Sequence, residues 1–274
     1  MIDTLKKGIS SNMLKTIAII AMVIDHIAFY FSFKLSPIVY TICRGIGRIS
    51  MPIFVYILVQ GFFHTKNFNK YVARIGVLAI ITQILISILM VINIKFVPSY
   101  VYAKQVYITA NILFTFAICL ITMKILHEDI LIKKWPYNKN LSLKIIAIIF
   151  ICIACIFIPL DYGVEVVILS AFMYYLEKFK IKVMIEKNSS QSSIKNILLN
   201  SFSETKIQML YLGIILATLF MLVIYFNAYW TVLLAIVPIS LYNGERGKIS
   251  LKYVYYIIFP LQHVLFYSLA MLLI

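Results

Sequence analysis

With 274 residues, 63% of them hydrophobic and only 13% charged, the chain is too apolar for a water-soluble domain, which runs at about 45–50% apolar and about 25% charged. The mean hydropathy of +0.98 comes from apolar stretches near 20 residues that recur along the whole length. They are continuous rather than alternating, so a β-barrel is excluded and the fold class is all-α, a polytopic helical membrane protein. The net charge of +15 lies between these stretches, where cytoplasmic loops carry it, so no nucleic-acid partner is expected.

The chain begins with an amphipathic segment, 1–13, carrying Lys6 and Lys7, with Ser11 or Asn12 expected to cap the first helix. Span one covers about 14–33 and ends at Lys34, Ser36 and Pro37. No small-residue cleavage site follows it, so no cleavable signal peptide is expected. A connector with Arg44, Gly45, Gly47 and Arg48 leads into span two, about 49–63, with Pro52 in its first turn, where proline is tolerated. Span three, about 72–94, has Arg74 at its start and Gln83 inside; a polar stretch with Pro98, Tyr100 and Lys104 follows. Span four, about 108–126, has Asn111 near its start. A basic loop leads to span five, about 145–159, and Asp161-Tyr162-Gly163 turns the chain into span six, about 164–176. The hydrophilic stretch 177–206 reads as a flexible cytoplasmic loop within the one domain of 1–274. Spans seven, eight and nine cover about 207–226, 228–242 and 253–273, the last holding Pro260 and His263.

Spans five, six and eight are short, which leaves counts of eight and ten open beside nine; nine spans with the N-terminus inside put Lys66, Lys70, Arg74, the lysines from Lys124 to Lys144, the cluster from Lys178 to Lys206, and Arg246, Lys248 and Lys252 on the cytoplasmic side. The outer loops then receive Lys34, Arg44, Arg48, Lys95 and Lys104. That asymmetry predicts N-in, C-out in the cell membrane. No internal repeat is visible, which argues against inverted-repeat transporter folds. The four cysteines include Cys152-x-x-Cys155 inside an apolar run without nearby ligands, so they read as small apolar residues and no metal is expected.

Span one organises the rest. Asp25 and His26 sit about two-thirds along it, at a depth where ionisable groups are expensive and mark functional sites. Lys15 stands eleven residues earlier. At about 100° per residue Lys15 and His26 share a helix face, separated by about 16 Å along the axis. Asp25 lies about 100° around from His26 and is free to bond a neighbouring helix. In this topology Arg48, Asn111 and Asp161 fall near the outer ends of their spans, His263 midway through span nine, and Lys15, Arg74 and Arg246 on the cytoplasmic side. The pattern is a polar path with cations at its cytoplasmic mouth, suited to donor phosphates, and a histidine base further in. Each polar residue also has a plainer reading. Arg44 and Arg48 would anchor at headgroups, His263 would bond a helix, and Asp161 would cap a turn.

The stretches LKTIAIIAMVIDHI, GRISMPIFVYILVQGFFHTKN with KYVARIGVLAIITQ, ITANILFTFAI, DYG, and NGERG followed by KYVYYIIFPLQHVLFY resemble, in order, the TraX family. That family includes the acetylase of conjugative pilin N-termini and is similar to the wider acyltransferase-3 membrane proteins, in which an arginine lies eleven residues before an essential histidine on the first helix. Lys15 takes the arginine position here and His26 the histidine position. The resemblance implies acetyl-CoA as donor, bound from the cytoplasm, and an acceptor protein, glycan or small molecule at or beyond the bilayer. It implies His26 as general base, supported by Asp25. Lys15, Arg48, Arg74 and Arg246 fall to the donor, with Asn111, Asp161 and His263 along the substrate path. The rival readings are a proton-coupled exporter using Asp25 and His26 as a relay, and a structural assembly factor in which changing either alters only expression.

Overall fold

The computed structural model describes residues 8–94, 109–128, 132, 135–189, 204–225, 229–247 and 252–273. Helix dominates these residues, joined by two isolated β-bridges, Ile9 with Tyr242 and Ala110 with Leu160. Helix α1 is Ser11–Tyr30. Its cap is Ser10, whose Oγ accepts from the Met13 amide, rather than Ser11 or Asn12. The amides of those two residues instead donate to the carbonyls of Glu245 and Arg246. The same strap continues backward: Ile9 donates to Leu241 O and accepts from Asn243 N. Gly247, at φ +90°, lets the strap close, since a Cβ there would press on Ser10 Oγ at 2.7 Å.

Helix α2, Pro37–Arg48, and α3, Ser50–His64, are separated by Ile49 alone and form a stretch of 28 residues. The sequence reading of 37–48 as a connector is thus corrected. Ser36 caps α2 and Pro37 opens it, where its missing N–H costs nothing. The glycines that looked like loop residues are on the buried face. Gly47 meets α1 so closely that a Cβ would occupy the place of the Asp25 side chain.

Helix α4, Phe68–Ile94, is followed by α5, Ile112–His127, and α6, Tyr137–Phe157. Helix α6 starts a full two turns earlier than expected, because buried Asn140 bonds the amide and carbonyl of Ile132 and the carbonyl of Trp135 and ties the preceding turn to the helix. Helix α7, Gly163–Ser189, also runs past its expected end, carrying Glu177 into the protein interior. The rest of the expected loop, 190–203, lies outside the described residues, as does the polar stretch 95–108. Helix α8 is Glu204–Tyr225. The expected eighth span is a 3-10 turn, Trp230–Ala235, running into α9, Ile236–Ser240. Pro238 lacks the N–H that a longer regular helix needs there. Helix α10, Lys252–Leu272, carries Pro260 inside it.

Among the described residues, four helical stretches are long and apolar enough to cross a membrane: Ser11–Tyr30, Pro37–His64, Phe68–Leu89 and Tyr137–Phe157. Ile112–His127, Gln208–Ile224, Trp230–Ser240 and Tyr256–Leu272 are apolar and shorter. Helix α1 packs on α2, α3 and α10, and α4 on α5 and α10. These helices enclose a cavity, with α7 and α8 stacked behind α3. The core behind it is dense with Ile53, Tyr56, Leu120, Leu169, Ile215 and Leu219, all essentially inaccessible.

Candidate functional site

The cavity measures about 900 Å³, at the upper end of the range that holds cofactor-sized ligands. Its wall follows α1 from Ser11 and Asn12 through Lys15, Ile19 and Met22 to Asp25, His26, Phe29 and Tyr30. All nine residues singled out from sequence line it: Lys15, Asp25, His26, Arg48, Arg74, Asn111, Asp161, Arg246 and His263.

At one end stand Lys15 and Arg246, near enough for their like charges to repel. Arg74 also lines the cavity, its Nε donating to the Lys70 carbonyl one turn back. Arg246 is brought to α1 by the strap that pairs residues 9–12 with 241–246. Cations held together against their own repulsion suit an anion carrying more than one charge. Much of the cavity wall is apolar, with Ile19 and Met22 of α1 between the two ends and Met51, Phe54, Ile57, Leu58 and Phe116 from α3 and α5.

At the other end the histidines meet. His26 Nδ1 lies 2.7 Å from the carbonyl oxygen of Met22. A carbonyl only accepts, so Nδ1 carries the hydrogen and the lone pair of the neutral ring is on Nε2, where a base needs it. His263 stands edge-on to His26, with ring centroids 4.7 Å apart. Its Nδ1 shares a 2.8 Å hydrogen bond with the Tyr30 hydroxyl, and its Nε2 is buried without a hydrogen-bond partner. The chain thus joins α1 and α10 through a His–His–Tyr group of which sequence reasoning named only the histidines. Tyr30 gave no signal among 19 tyrosines, beyond lying one helical turn after His26.

Asp25 turns to α2, where Arg44 Nη1 donates to its Oδ2 at 2.7 Å and Arg48 Nη2 lies 3.8 Å from Oδ1. Both arginines are mostly buried, which replaces the headgroup-anchor reading. Arg48 is further clasped between the rings of Tyr162 and Tyr229, at 5.4 and 5.5 Å from their centroids, and donates to the Tyr162 hydroxyl. Tyr162 reaches it from a left-handed backbone conformation, φ 59°, which a bulky residue adopts only where surrounding contacts hold it. Those contacts are present: Thr115 Oγ1 donates to the Asp161 carbonyl and the Asp161 amide to Ala110.

Asp161 is surrounded by protein while its own surface faces the open cavity. The surrounding protein pushes its carboxyl up to about 6, and Arg48 pulls the other way. Asn111 is differently placed. Its Oδ1 caps α5 by accepting from Leu113 N, and its Nδ2 donates to Ala79 O and Gln83 Oε1. Asn111 therefore builds the wall, its amide already engaged on both sides. Among the described residues no group of three or more His, Cys, Asp or Glu is arranged to hold a metal ion.

The family model described as TraX protein matches residues 10–270. The chain belongs to the TraX family. The quoted motifs all fall inside that stretch, and the TraX match takes in every residue that lines the cavity. The probable fimbrial assembly protein FimC, serogroup H1, of Dichelobacter nodosus is 30% identical over 175 residues, covering 62% of this chain and 64% of that protein. An uncharacterised protein, RP591, of Rickettsia prowazekii (strain Madrid E) is 39% identical over 89 residues, 32% of each chain. The matches thus span less than two thirds of these relatives' own lengths. No solved structure matches this TraX chain.

Proposed function

We propose that this protein is a membrane-embedded acetyltransferase that takes acetyl from cytoplasmic acetyl-CoA and delivers it to an amine or hydroxyl at or beyond the far side of the cell membrane. One observation carries the reading: a single cavity runs along the 20 residues of α1 from a cationic mouth to a pair of histidines. Twenty helical residues rise about 30 Å, the thickness of a bilayer's hydrocarbon core.

In this reading the N-terminus is cytoplasmic, and Lys15, Arg74 and Arg246 hold the phosphates of CoA. The apolar wall accommodates the pantetheine arm and brings the thioester to His26. There Nε2 of His26 takes the proton of the acceptor as its nitrogen or oxygen bonds to the carbonyl carbon. Arg48, whose Nε is buried with no hydrogen-bond partner, offers an N–H to the oxygen as it gains charge. The C–S bond then breaks, its electron pair goes to sulfur, and the proton on His26 passes to the thiolate. Asp25 acts as a positioning group that holds Arg44 and Arg48. The name of the Dichelobacter relative, a probable fimbrial assembly protein, supports a pilus protein as acceptor, with glycans and small molecules as the other classes to test.

The experiment is to incubate purified protein with acetyl-labelled acetyl-CoA and host extract. Release of free CoA with label on one acceptor class supports the reading. Absence of both CoA release and labelled product overturns it.

A further inference from the structure

Outside the cavity the described residues hold a second buried charged group, Glu177 of α7, 6% exposed. Its Oε2 accepts from the Tyr211 hydroxyl of α8 at 2.6 Å. Its Oε1 lies 3.9 Å from Lys180 Nζ one turn along, and that ammonium sits 4.8 Å above the Tyr211 ring. Tyr211 also interacts with Tyr56 of α3, itself 1% exposed. Tyr56 packs edge-on against Tyr242, with centroids 5.8 Å apart. Tyr242 lines the cavity and belongs to the strap that carries Arg246 to α1. A chain of contacts therefore runs from a buried carboxylate on α7 through α8 and α3 to the cationic mouth.

A buried carboxylate is costly, and replacing such a group by apolar packing is often neutral or stabilising. A cost kept in place points to what the group positions. We infer that Glu177 is a positioning residue for the donor mouth: through Tyr211 and Tyr56 it fixes Tyr242 and the 241–246 strap, and with them the place of Arg246 beside Lys15. This rests on the reading of that mouth as the CoA site.

Two variants test it, Glu177→Gln and Tyr211→Phe, both close in shape to the original. CoA binding to the purified full chain in detergent is measured by calorimetry, beside wild type and Lys15→Ala. Changes along a contact chain of this kind shift a distant equilibrium by about 2- to 30-fold, so the CoA Kd should rise by that factor in both variants. At saturating acetyl-CoA their rate of acetyl transfer should equal wild type, a split between KM and kcat that a general loss of structure would not give. A direct field effect has the opposite sign, because removing a negative charge near the mouth tightens binding of an anion. Tighter CoA binding by Glu177→Gln, or wild-type Kd values in both variants while Lys15→Ala is weakened, overturns the inference and leaves the functional reading standing. Wild-type protein that binds no CoA overturns both.

Discussion

Asp25→Ala should cost the protein about 3 kcal/mol of stability and about 6–12 °C in Tm. Asp25 holds two cations: Arg44 Nη1 at 2.7 Å and Arg48 Nη2 at 3.8 Å, with all three side chains only 13–16% exposed. Removing one partner of a buried ion pair typically costs about 3–5 kcal/mol, because the remaining charge stays desolvated. The residual exposure and the Tyr162 and Tyr229 rings, which continue to clasp Arg48, put the expected loss at the lower end. At about 2–4 °C per kcal/mol for large domains, that loss gives the Tm shift. The assay is thermal unfolding of the detergent-solubilised protein for wild type, Asp25→Ala, Arg44→Ala and the double variant. The double variant should lose less than the sum of the singles, since each single strands a charge that the double removes. Catalytic loss should be smaller than for His26→Ala, because the His26 ring is oriented by the Met22 carbonyl on its own helix. A Tm within 2 °C of wild type for Asp25→Ala, on the order of half a kcal/mol by the same conversion, or strict additivity in the double variant, would refute the claim that Asp25 holds α2 against α1.

Gly47→Ala should reproduce the Asp25 defect at about 1–3 kcal/mol, as overpacking does, since the new methyl group displaces the Asp25 side chain; an unfolding curve like that of wild type would contradict this. His26→Ala should insert and fold normally and lose about 10²–10⁴-fold in acetyl transfer, checked by turnover at matched protein level; wild-type turnover would remove the base assignment. Lys15→Ala should raise the acetyl-CoA KM by roughly 10- to 150-fold, the worth of one charge-assisted contact, more than it raises the acceptor KM. Lys15→Arg should retain most function because guanidinium suits phosphate at least as well. An unchanged donor KM in Lys15→Ala would make that lysine a simple anchor.

The helical period made the Lys15–His26 face legible in sequence, because a membrane-length helix repeats every 3.6 residues whatever packs around it. The partners of Asp25 were not legible. Two glycines, two arginines and a proline between 37 and 48 carry the signals of a loop, whereas Gly47 is there for close approach to Asp25 of α1 and Gly45 for close approach to Thr231 of the 3-10 turn. Glu177 was hidden in the same way: charge marks the end of an apolar span, and nothing local shows that Tyr211, 34 residues on, will meet the carboxylate. Tyr30, Tyr162 and Tyr229 were lost among aromatics that membrane proteins carry at their interfaces in any case. Asn111 was found for its polarity, but the capping role it plays follows from its place just before α5.

The claim that one cavity carries acetyl across the membrane is tested most directly in sealed, uniformly oriented proteoliposomes. Acetyl-CoA is supplied only on the side of Lys15 and Arg246, and the acceptor only on the side of His263 and Tyr162. The account predicts labelled acceptor on the far side with one free CoA released per acetyl, no need for an ion gradient, and loss of both signals in His26→Ala. Transfer only when donor and acceptor share a compartment, or label crossing under a proton gradient with no CoA released, would contradict it.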